Sequence, residues 1–376
     1  MVTLRVIVDA ALERSPRGLA RYTEELTSAL IATAPRNCDV EGITASASEE
    51  ELARLRVSLP GLSHLTELNL GRRELYAAWN RTITTLPLHG MVHGTTLLAP
   101  LRSHDRGRSP GDQTVVTIHD TTAWRYPESR RSRWVRHMAA RAKRHADAIV
   151  VPTHAVAAEL ERLIGFGDRL RVIGGAVSSS LALPSNPAET AARLGLPPEY
   201  LLSVSGMQPH KGLEVLLQAL ALPSAPDVPL VHVGPDRYAD ATLQEAIARS
   251  GLPAERVRHL GIVTDSELAV VLDRASALVA PSLSEGFGLA MVEAFSFGTP
   301  VVSSDSPALV EVADGAAVVV PREPADRYPE RLAAALSKTL SDTTLLARLE
   351  VSGLDRAKAY SWRDSAERVW QLHADL

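Results

Sequence analysis

Two glutamates eight residues apart carry the clearest binding chemistry in the sequence. Glu285 follows a short apolar run, and Glu293 falls inside a helix that we expect to begin near Leu289. A carboxylate accepts hydrogen bonds from two hydroxyls, which suits the vicinal diols of ribose or of a sugar. Gly286 and Gly288 would let the backbone approach a ligand, and the N–H groups of the helix start could hold a phosphate. The alternative is that both acids only serve the helix, Glu285 through the helix dipole and Glu293 as a solvated residue.

Lys211 is one of four lysines among the 376 residues, and it also follows an apolar run. It directly precedes Gly212, with which we expect a helix to begin. A lysine in this place can neutralise a diphosphate as a point charge. The segment is not a P-loop, because that motif needs a second glycine before the lysine. The sequence has no GxGxxG pattern, which disfavours a nicotinamide-dependent dehydrogenase. An ordinary surface lysine is the alternative.

Two further segments place polar or flexible residues after apolar runs. His119 and Asp120 end the run 115–120, where the histidine could donate to a sugar hydroxyl or share a proton. Gly18 lies where the loop after the first apolar run becomes a helix, and its backbone could approach a phosphate. The alternatives are a structural histidine and an ordinary turn glycine.

These residues need a scaffold, and the apolar runs define it. The runs are almost continuously apolar, which is typical of strands buried on both faces of a parallel sheet. Periodic apolar segments between them predict helices, so the chain is an α/β protein with two doubly wound parallel sheets. Open parallel sheets bind ligands beyond the carboxyl ends of their strands, and two such domains would face each other across an interdomain cleft. The ten predicted strands are 4–10, 115–120, 148–153, 171–177, 200–206, 228–234, 257–263, 277–282, 299–305 and 316–321.

A Ser- and Pro-rich segment, 178–199, is the predicted linker, and we place the domain boundary near residue 184. The charge changes there. Residues 1–183 hold 24 Lys and Arg against 19 Asp and Glu, a net of +5, and residues 184–376 hold 16 against 25, a net of −9. Two domains with different surfaces would explain the change, although it could equally have no function.

Composition excludes several classes of protein. The net charge of −4 argues against a dedicated nucleic-acid binder. The single cysteine, Cys38, excludes an internal disulfide framework, and no apolar stretch is long enough to span a bilayer. We therefore expect a cytoplasmic protein. No Asp-x-Asp pair or His/Cys cluster suggests a metal site.

Five segments, in order along nearly the whole chain, resemble the family-4 retaining glycosyltransferases, which have the GT-B fold. Glu285 and Glu293 match the spacing of that family's nucleotide-sugar motif, and Lys211 takes the basic position of its diphosphate-binding loop. The resembling segments are 17–30, 115–128, 205–220, 281–317 and 360–369. The resemblance implies two Rossmann-like domains: an acceptor-binding domain of 1–183, which a helix at 360–376 rejoins, and a nucleotide-sugar-binding domain of 184–359.

The resemblance also implies roles for particular residues. Glu293 would bind the ribose hydroxyls of the donor. Glu285 would bind hydroxyls of the transferred sugar, beside the backbone of Phe287, Gly288 and Leu289.

The remaining implied roles concern the diphosphate and the reacting centre. Lys211, with His210 beside it, would stabilise the diphosphate leaving group. Gly206 would lie among the donor-binding residues, Gly18 would approach the diphosphate from the other domain, and His119 would contact the donor sugar.

The implied reaction is metal-independent transfer of a hexose from a nucleotide-diphosphate sugar to a glycan or lipid-linked acceptor, with retention at the anomeric carbon. GDP-mannose is the first choice of donor, and no separate cofactor is expected. One departure matters, because the family commonly has an arginine near Lys211, where this chain has Met207 and His210. This departure suggests one alternative, a catalytically weak nucleotide-sugar-binding homologue. A second alternative is a sugar-nucleotide epimerase, which can share the two-domain architecture.

A strongly basic segment, 130–145, predicts a surface helix with seven Lys and Arg residues as well as Trp134 and Met138. Such a helix could dock on the inner face of an anionic membrane or bind a lipid-linked phosphate. The alternative is a solvated basic helix.

Overall fold

The chain forms two compact units, the first of residues 1–175 with 361–376 and the second of residues 176–360. This division precedes the predicted boundary by eight residues. Leu181 is packed in the apolar core of the second unit, and a helix occupies 187–194 within the predicted linker. The Ser- and Pro-rich segment therefore belongs to the second unit and does not separate the two units. The computed structural model describes residues 2–13, 18–81, 89–104, 108–109 and 111–376.

The first unit is built on a seven-stranded sheet whose paired strands are all parallel, in the order β3-β2-β1-β4-β5-β6-β7. Central strands are buried on both faces, as their continuous apolar character predicts; all four residues of β6 are buried. The strands are β1 (Val2–Ile7), β2 (Cys38–Ser46), β3 (His64–Gly71), β4 (Met91–Gly94), β5 (Gln113–Thr117), β6 (Ala148–Val151) and β7 (Leu170–Val172). The helices are α1 (Gly18–Ala32), α2 (Glu49–Ser58), α3 (Arg72–Asn80), α4 (Thr122–Arg125), α5 (Arg130–His145), α6 (His154–Leu163) and α15 (Trp362–Asp375).

The second unit is built on a six-stranded parallel sheet in the order β12-β9-β8-β13-β14-β15, beside which β10 and β11 form a short hairpin. Its strands are β8 (Leu201–Val204), β9 (Leu230–Val233), β10 (Arg237–Tyr238), β11 (Ala241–Thr242), β12 (Val257–Gly261), β13 (Ala277–Ala280), β14 (Val301–Ser304) and β15 (Val318–Val320). Its helices are α7 (Pro187–Leu194), α8 (Leu213–Leu220), α9 (Leu243–Ser250), α10 (Asp265–Asp273), α11 (Leu289–Ser296), α12 (Pro307–Ala313), α13 (Tyr328–Ser341) and α14 (Thr343–Ala357).

The two parallel sheets confirm the predicted α/β class, and each of the ten predicted strands overlaps a strand of the structure. The prediction missed β2, β3 and β4, together with the β10–β11 hairpin. Because β4 lies between β1 and β5, the sequence alone did not define the centre of the first sheet.

The last helix, α15, packs on the first unit through buried polar contacts. The indole N–H of Trp370 donates to the carbonyl of Leu30 at 3.1 Å. Deeper in the unit, His373 Nδ1 lies 2.9 Å from Gln113 Oε1, and its Nε2 lies 3.3 Å from His93 Nδ1. Both imidazoles are buried. Burial lowers the pKa of His93 to about 4, and burial together with His93 lowers the pKa of His373 well below its usual range.

This histidine pair makes the stability of the first unit pH-dependent. In the unfolded chain both imidazoles take up protons below their ordinary pKa of 6.5, whereas the folded unit resists protonation down to a pKa of about 4 at His93. The unfolded state binds more protons in this window, so stability falls as the pH falls from about 6.5 to about 4. His373→Gln should flatten that slope by up to about 1.4 kcal/mol per pH unit. Calorimetric melts across this range measure the slope, and His64→Gln, at an exposed histidine, should keep the wild-type value.

Candidate active site

The loop between β13 and α11 carries Glu285. The loop ends at Gly288, which caps α11 in the left-handed conformation with φ of 87°. This left-handed conformation favours glycine, and a Cβ atom at Gly288 would also lie 2.5 Å from Leu309 Cδ2, so that the leucine side chain would have to shift. Helix α11 begins at Leu289, as the sequence predicts, and Glu293 on this helix is only 3 % exposed. Phe287 is also buried and meets Tyr360 edge to face at 5.3 Å.

The loop between β8 and α8 carries Lys211. Its last turn, Pro209–Lys211, is a single turn of 3-10 helix, and Gly212 then caps α8 with φ of 70°. A Cβ atom at Gly212 would lie 2.2 Å from the carbonyl oxygen of Pro281, so this loop touches the loop that carries Glu285.

Main-chain hydrogen bonds join these two loops. The carbonyl of His210 accepts from the N–H of Leu283 at 2.7 Å and from the N–H of Ser284 at 3.3 Å. The predicted effect of His210 was through its side chain, whereas these bonds give its backbone a structural role.

An ion pair forms where the two loops meet. Lys211 Nζ lies 2.9 Å from both carboxylate oxygens of Glu285, and Ser282 Oγ donates to Glu285 Oε2 at 3.0 Å. The two charged side chains are 28 % and 17 % exposed, so water reaches both. An ammonium and a carboxylate at one accessible point can receive a phosphate and a hydroxyl side by side. Ser282 was not among the residues predicted from the sequence. Its position three residues before Glu285, within the same loop, is the one sequence feature that could have suggested this hydrogen bond.

Two further residues of the Lys211 loop lie at its start. Gly206 is partly buried, and a Cβ atom there would meet the side chain of Gln208 at 2.2 Å. Met207 packs against the apolar core of the second unit. Position 207, where the family commonly has an arginine, therefore holds an apolar side chain that packs against the core.

His119 lies in the first unit. Its Nε2 is 2.8 Å from the carbonyl of Thr95, and its ring meets Tyr22 edge to face at 4.6 Å. Since a carbonyl only accepts, Nε2 must carry the proton. Burial lowers the pKa of His119, with an opposing contribution from its bond to Thr95. The neutral ring at pH 7 therefore offers Nδ1 as an acceptor, which corrects the expectation that it would donate to a sugar hydroxyl.

The neighbouring candidates of the first unit have simpler environments. Asp120 Oδ1 accepts from the N–H of Thr122 at 2.8 Å at the start of α4. Gly18 begins α1 and is exposed, and a Cβ atom there would meet nothing within 4 Å. The rest of its predicted loop, 14–17, lies outside the described residues.

The structure thus brings Lys211, Glu285 and the backbone of His210 into one site of the second unit, with Gly288, Leu289 and Glu293 on the adjoining helix. His119 and Gly18 belong to the first unit. Among the described residues, no group of three or more His, Cys, Asp or Glu side chains could hold a metal ion.

Comparison with known proteins identifies the family. Residues 16–181 match the family described as Glycosyltransferase Family 4, and residues 198–342 match Glycosyl transferases group 1. The chain is 30 % identical to the O-antigen chain mannosyltransferase B of Escherichia coli over 67 % of this chain and 68 % of that protein. The chain belongs to the family-4 glycosyltransferases. This finding confirms the resemblance predicted from the sequence motifs.

Other relatives of this family-4 glycosyltransferase match shorter regions. A D-inositol 3-phosphate glycosyltransferase of Streptomyces bingchenggensis is 33 % identical over 61 % of this chain and 53 % of its own length. The phosphatidyl-myo-inositol mannosyltransferase of Mycobacterium tuberculosis is 33 % identical over 44 % of each chain. The chain therefore spans about half the length of these two relatives or less.

Solved structures confirm the GT-B fold of this family-4 glycosyltransferase. Sucrose-phosphate synthase of Thermosynechococcus elongatus superposes with a TM-score of 0.75 at 20 % identity, covering 100 % of this chain and 99 % of that one. HepE of Anabaena, solved in complex with UDP-glucose, gives a TM-score of 0.75 at 18 % identity and covers 100 % of both chains.

The contact between the loop that carries Lys211 and the loop that carries Glu285 can be tested with two glycines. Gly212 and Gly251 have similar φ, 70° and 75°, but only at Gly212 would a Cβ atom meet the backbone. Gly251→Ala should cost about 1 kcal/mol for its left-handed conformation. Gly212→Ala should cost a further 1 to 3 kcal/mol or so, because the carbonyl of Pro281 must move. Calorimetric melts of both variants measure the difference, and equal losses would show that the loops do not touch.

Proposed function

We propose that this glycosyltransferase transfers a hexose from a nucleotide-diphosphate sugar to a glycan or lipid-linked acceptor, with retention and without a metal ion. The observation that carries the proposal is the pairing of Lys211 with Glu285 beside the start of α11. GDP-mannose remains the first choice of donor, because two of the relatives are named as mannosyltransferases. The UDP-glucose complex of HepE supports the broader class of nucleotide-sugar donor.

The site has the charges that this reaction needs. Glycosyl transfer passes through a state with cationic character on the sugar, while negative charge builds on the departing phosphate. Lys211 supplies a fixed positive charge, and a fixed charge stabilises a developing anion more than it stabilises the ground state. In the proposal, Lys211 binds the diphosphate, Glu285 binds hydroxyls of the transferred sugar, and Glu293 binds the ribose.

The first unit takes the acceptor in this proposal. His119 of the same unit is neutral, and its Nδ1 could accept a hydrogen bond from a hydroxyl of the donor sugar. Gly18 remains the candidate for backbone contact with the diphosphate. Retention is proposed from the family resemblance, by attack on the face from which the nucleotide departs.

Lys211→Ala tests the donor site directly. A hydrogen bond to a charged group is worth about 1.5 to 3 kcal/mol, so loss of the ammonium should weaken the binding of a nucleoside diphosphate by about 10- to 150-fold. Titration calorimetry with GDP, UDP, ADP and dTDP, each with and without EDTA, measures the affinities. Lys338→Ala removes an exposed lysine of α13 and should leave them unchanged.

The same panel separates the alternatives. Binding of one nucleotide with EDTA present supports the metal-independent donor site, and no binding of any would contradict the proposal. Product analysis by NMR then distinguishes transfer with retention from inversion and from epimerisation of the donor. A chain that binds the donor and never turns it over would be the catalytically weak homologue.

We also propose that α5 docks this enzyme on the inner face of an anionic membrane. Its buried side holds Met138, Ala139 and Ala142, while six basic side chains are exposed. None of the helices within the described residues has the length and apolar character to cross a bilayer. Contact would therefore be peripheral and electrostatic. The six exposed basic residues are Arg130, Arg131, Arg133, His137, Lys143 and Arg144.

Sedimentation with vesicles tests this surface. Each Arg or Lys near an anionic surface contributes about 1 kcal/mol, so changing Arg130, Arg131 and Arg133 together to Gln should lower the partition coefficient by about 100-fold. The vesicles contain phosphatidylglycerol in phosphatidylethanolamine, with phosphatidylcholine alone as the uncharged reference. The triple change of Arg36, Arg54 and Arg56 to Gln removes as many exposed charges elsewhere in the unit. Equal losses in both triple variants would contradict docking through α5.

A further inference from the structure

The loop that carries Glu285 is anchored through three successive backbone carbonyls of its own. Each carbonyl accepts a hydrogen bond from a different side chain elsewhere in the unit. The hydroxyl of Tyr328 donates to the carbonyl of Pro281 at 3.2 Å. Ser304 Oγ donates to the carbonyl of Ser282 at 2.6 Å. The guanidinium of Arg322 donates to the carbonyl of Leu283. Tyr328 and Ser304 are buried within the core, whereas Arg322 reaches the loop from the segment after β15.

Arg322 is itself fixed by Asp305, which follows β14. Its Nε donates to Asp305 Oδ1 at 2.6 Å, its backbone N–H donates to the same oxygen at 3.1 Å, and its Nη2 reaches the carbonyl of Asp305 at 3.3 Å. The two side chains are 19 % and 37 % exposed. With two bonds from the guanidinium to Asp305 and a third from the backbone N–H of Arg322, the side chain has little freedom, and its Nη1 donates to the carbonyl of Leu283.

Leu283 connects Arg322 to both charged residues of the donor site. Its carbonyl accepts from Arg322, and its N–H donates to the carbonyl of His210 at 2.7 Å. Lys211 is the residue after His210, and Glu285 lies two residues after Leu283. A displacement of Leu283 would therefore move the ammonium and the carboxylate relative to each other.

We propose that Arg322, held by Asp305, is a positioning residue that sets the geometry of the Lys211–Glu285 pair for the diphosphate of the donor. Arg322 acts through Leu283 and His210 rather than by touching the donor. The role of Arg322 in donor binding rests on the function proposed above. Its role in fixing the two loops through Leu283 does not depend on that function.

Arg256 provides a matched control within the same unit. Its guanidinium also donates to two backbone carbonyls, those of Pro226 and Val228, and pairs with an aspartate, Asp227, at 3.2 Å. It is 24 % exposed, close to the value for Arg322. It lies in the turn directly before β12 and binds the segment before β9, so it holds neither the loop of Lys211 nor the loop of Glu285.

The first test needs no ligand. Hydrogen–deuterium exchange of the folded protein follows the peptides covering 208–212 and 281–286. Arg322→Gln should speed exchange in both peptides. Without the bond from Arg322 to its carbonyl, Leu283 is free to move, and the bonds from the amides of Leu283 and Ser284 to the carbonyl of His210, which join the two loops, are weakened. Arg322→Lys should restore part of the protection, and Arg256→Gln should leave both peptides at the wild-type rate. Unchanged exchange in Arg322→Gln, or equal acceleration in Arg256→Gln, overturns the positioning role.

The second test is a double-mutant cycle on nucleoside diphosphate affinity. Arg322→Gln should weaken binding about tenfold in the wild-type background and less than about twofold in the Lys211→Ala background, because it acts through Lys211. Additive losses overturn the inference. If the wild-type protein binds no nucleoside diphosphate, the proposed function fails, and the exchange measurement still decides whether Arg322 holds the loops.

Discussion

The pairing of Lys211 with Glu285 depends on the backbone carbonyl of His210. This carbonyl accepts from Leu283 and Ser284, and so ties the loop after β8 to the loop after β13. The two charged residues that meet at 2.9 Å, Lys211 and Glu285, are separated by 74 positions in the sequence. Parallel pairing of β8 with β13 brings the two loops to one edge of the sheet, and the hydrogen bonds to His210 then fix their separation. Gly212 follows from this constraint, because no side chain fits between its Cα atom and Pro281.

The ion pair between Lys211 and Glu285 supplies the charged groups of the candidate site. Lys211 and Glu285 neutralise each other, and partial exposure keeps the attraction modest. In the proposed function, a diphosphate brings more negative charge to Lys211 than Glu285 supplies, and sugar hydroxyls become donors to Glu285. Bound donor would thus replace the ion pair by contacts of the diphosphate with Lys211 and of the sugar hydroxyls with Glu285, without moving either loop. Such preorganisation stabilises charge that develops during the reaction, since the protein dipoles are already oriented.

Much of the scaffold could be predicted from the sequence because its strands are buried on both faces. The missed strands show the limit of that signal. Within β2, Asp39, Glu41 and Gly42 interrupt the apolar run. Edge strand β3 has neither a continuous apolar run nor a regular alternation, because Thr66 and Glu67 are consecutive polar residues. Strand β4 is four residues long and includes the buried His93. A strand so short, with a histidine in its interior, carries no continuous apolar pattern.

The candidate site was predictable as a set of strand ends but not as a set of contacts. Lys211 and Glu285 were each placed at the end of an apolar run, but their pairing depends on which strands are neighbours. The hydrogen bond of His119 to the carbonyl of Thr95 could not be predicted, because Thr95 follows β4, a strand that the sequence pattern did not indicate. Arg322 gave no signal either, since an arginine after a strand is common and its partner Leu283 offers only a backbone carbonyl.

A crystal structure of the protein with a bound nucleoside diphosphate would test the central claim most directly. We predict a phosphate oxygen within hydrogen-bond distance of Lys211 Nζ, ribose hydroxyls at Glu293, and the bonds from Leu283 and Ser284 to His210 unchanged. A nucleotide bound elsewhere, or a complex in which these two loops have separated, would contradict it.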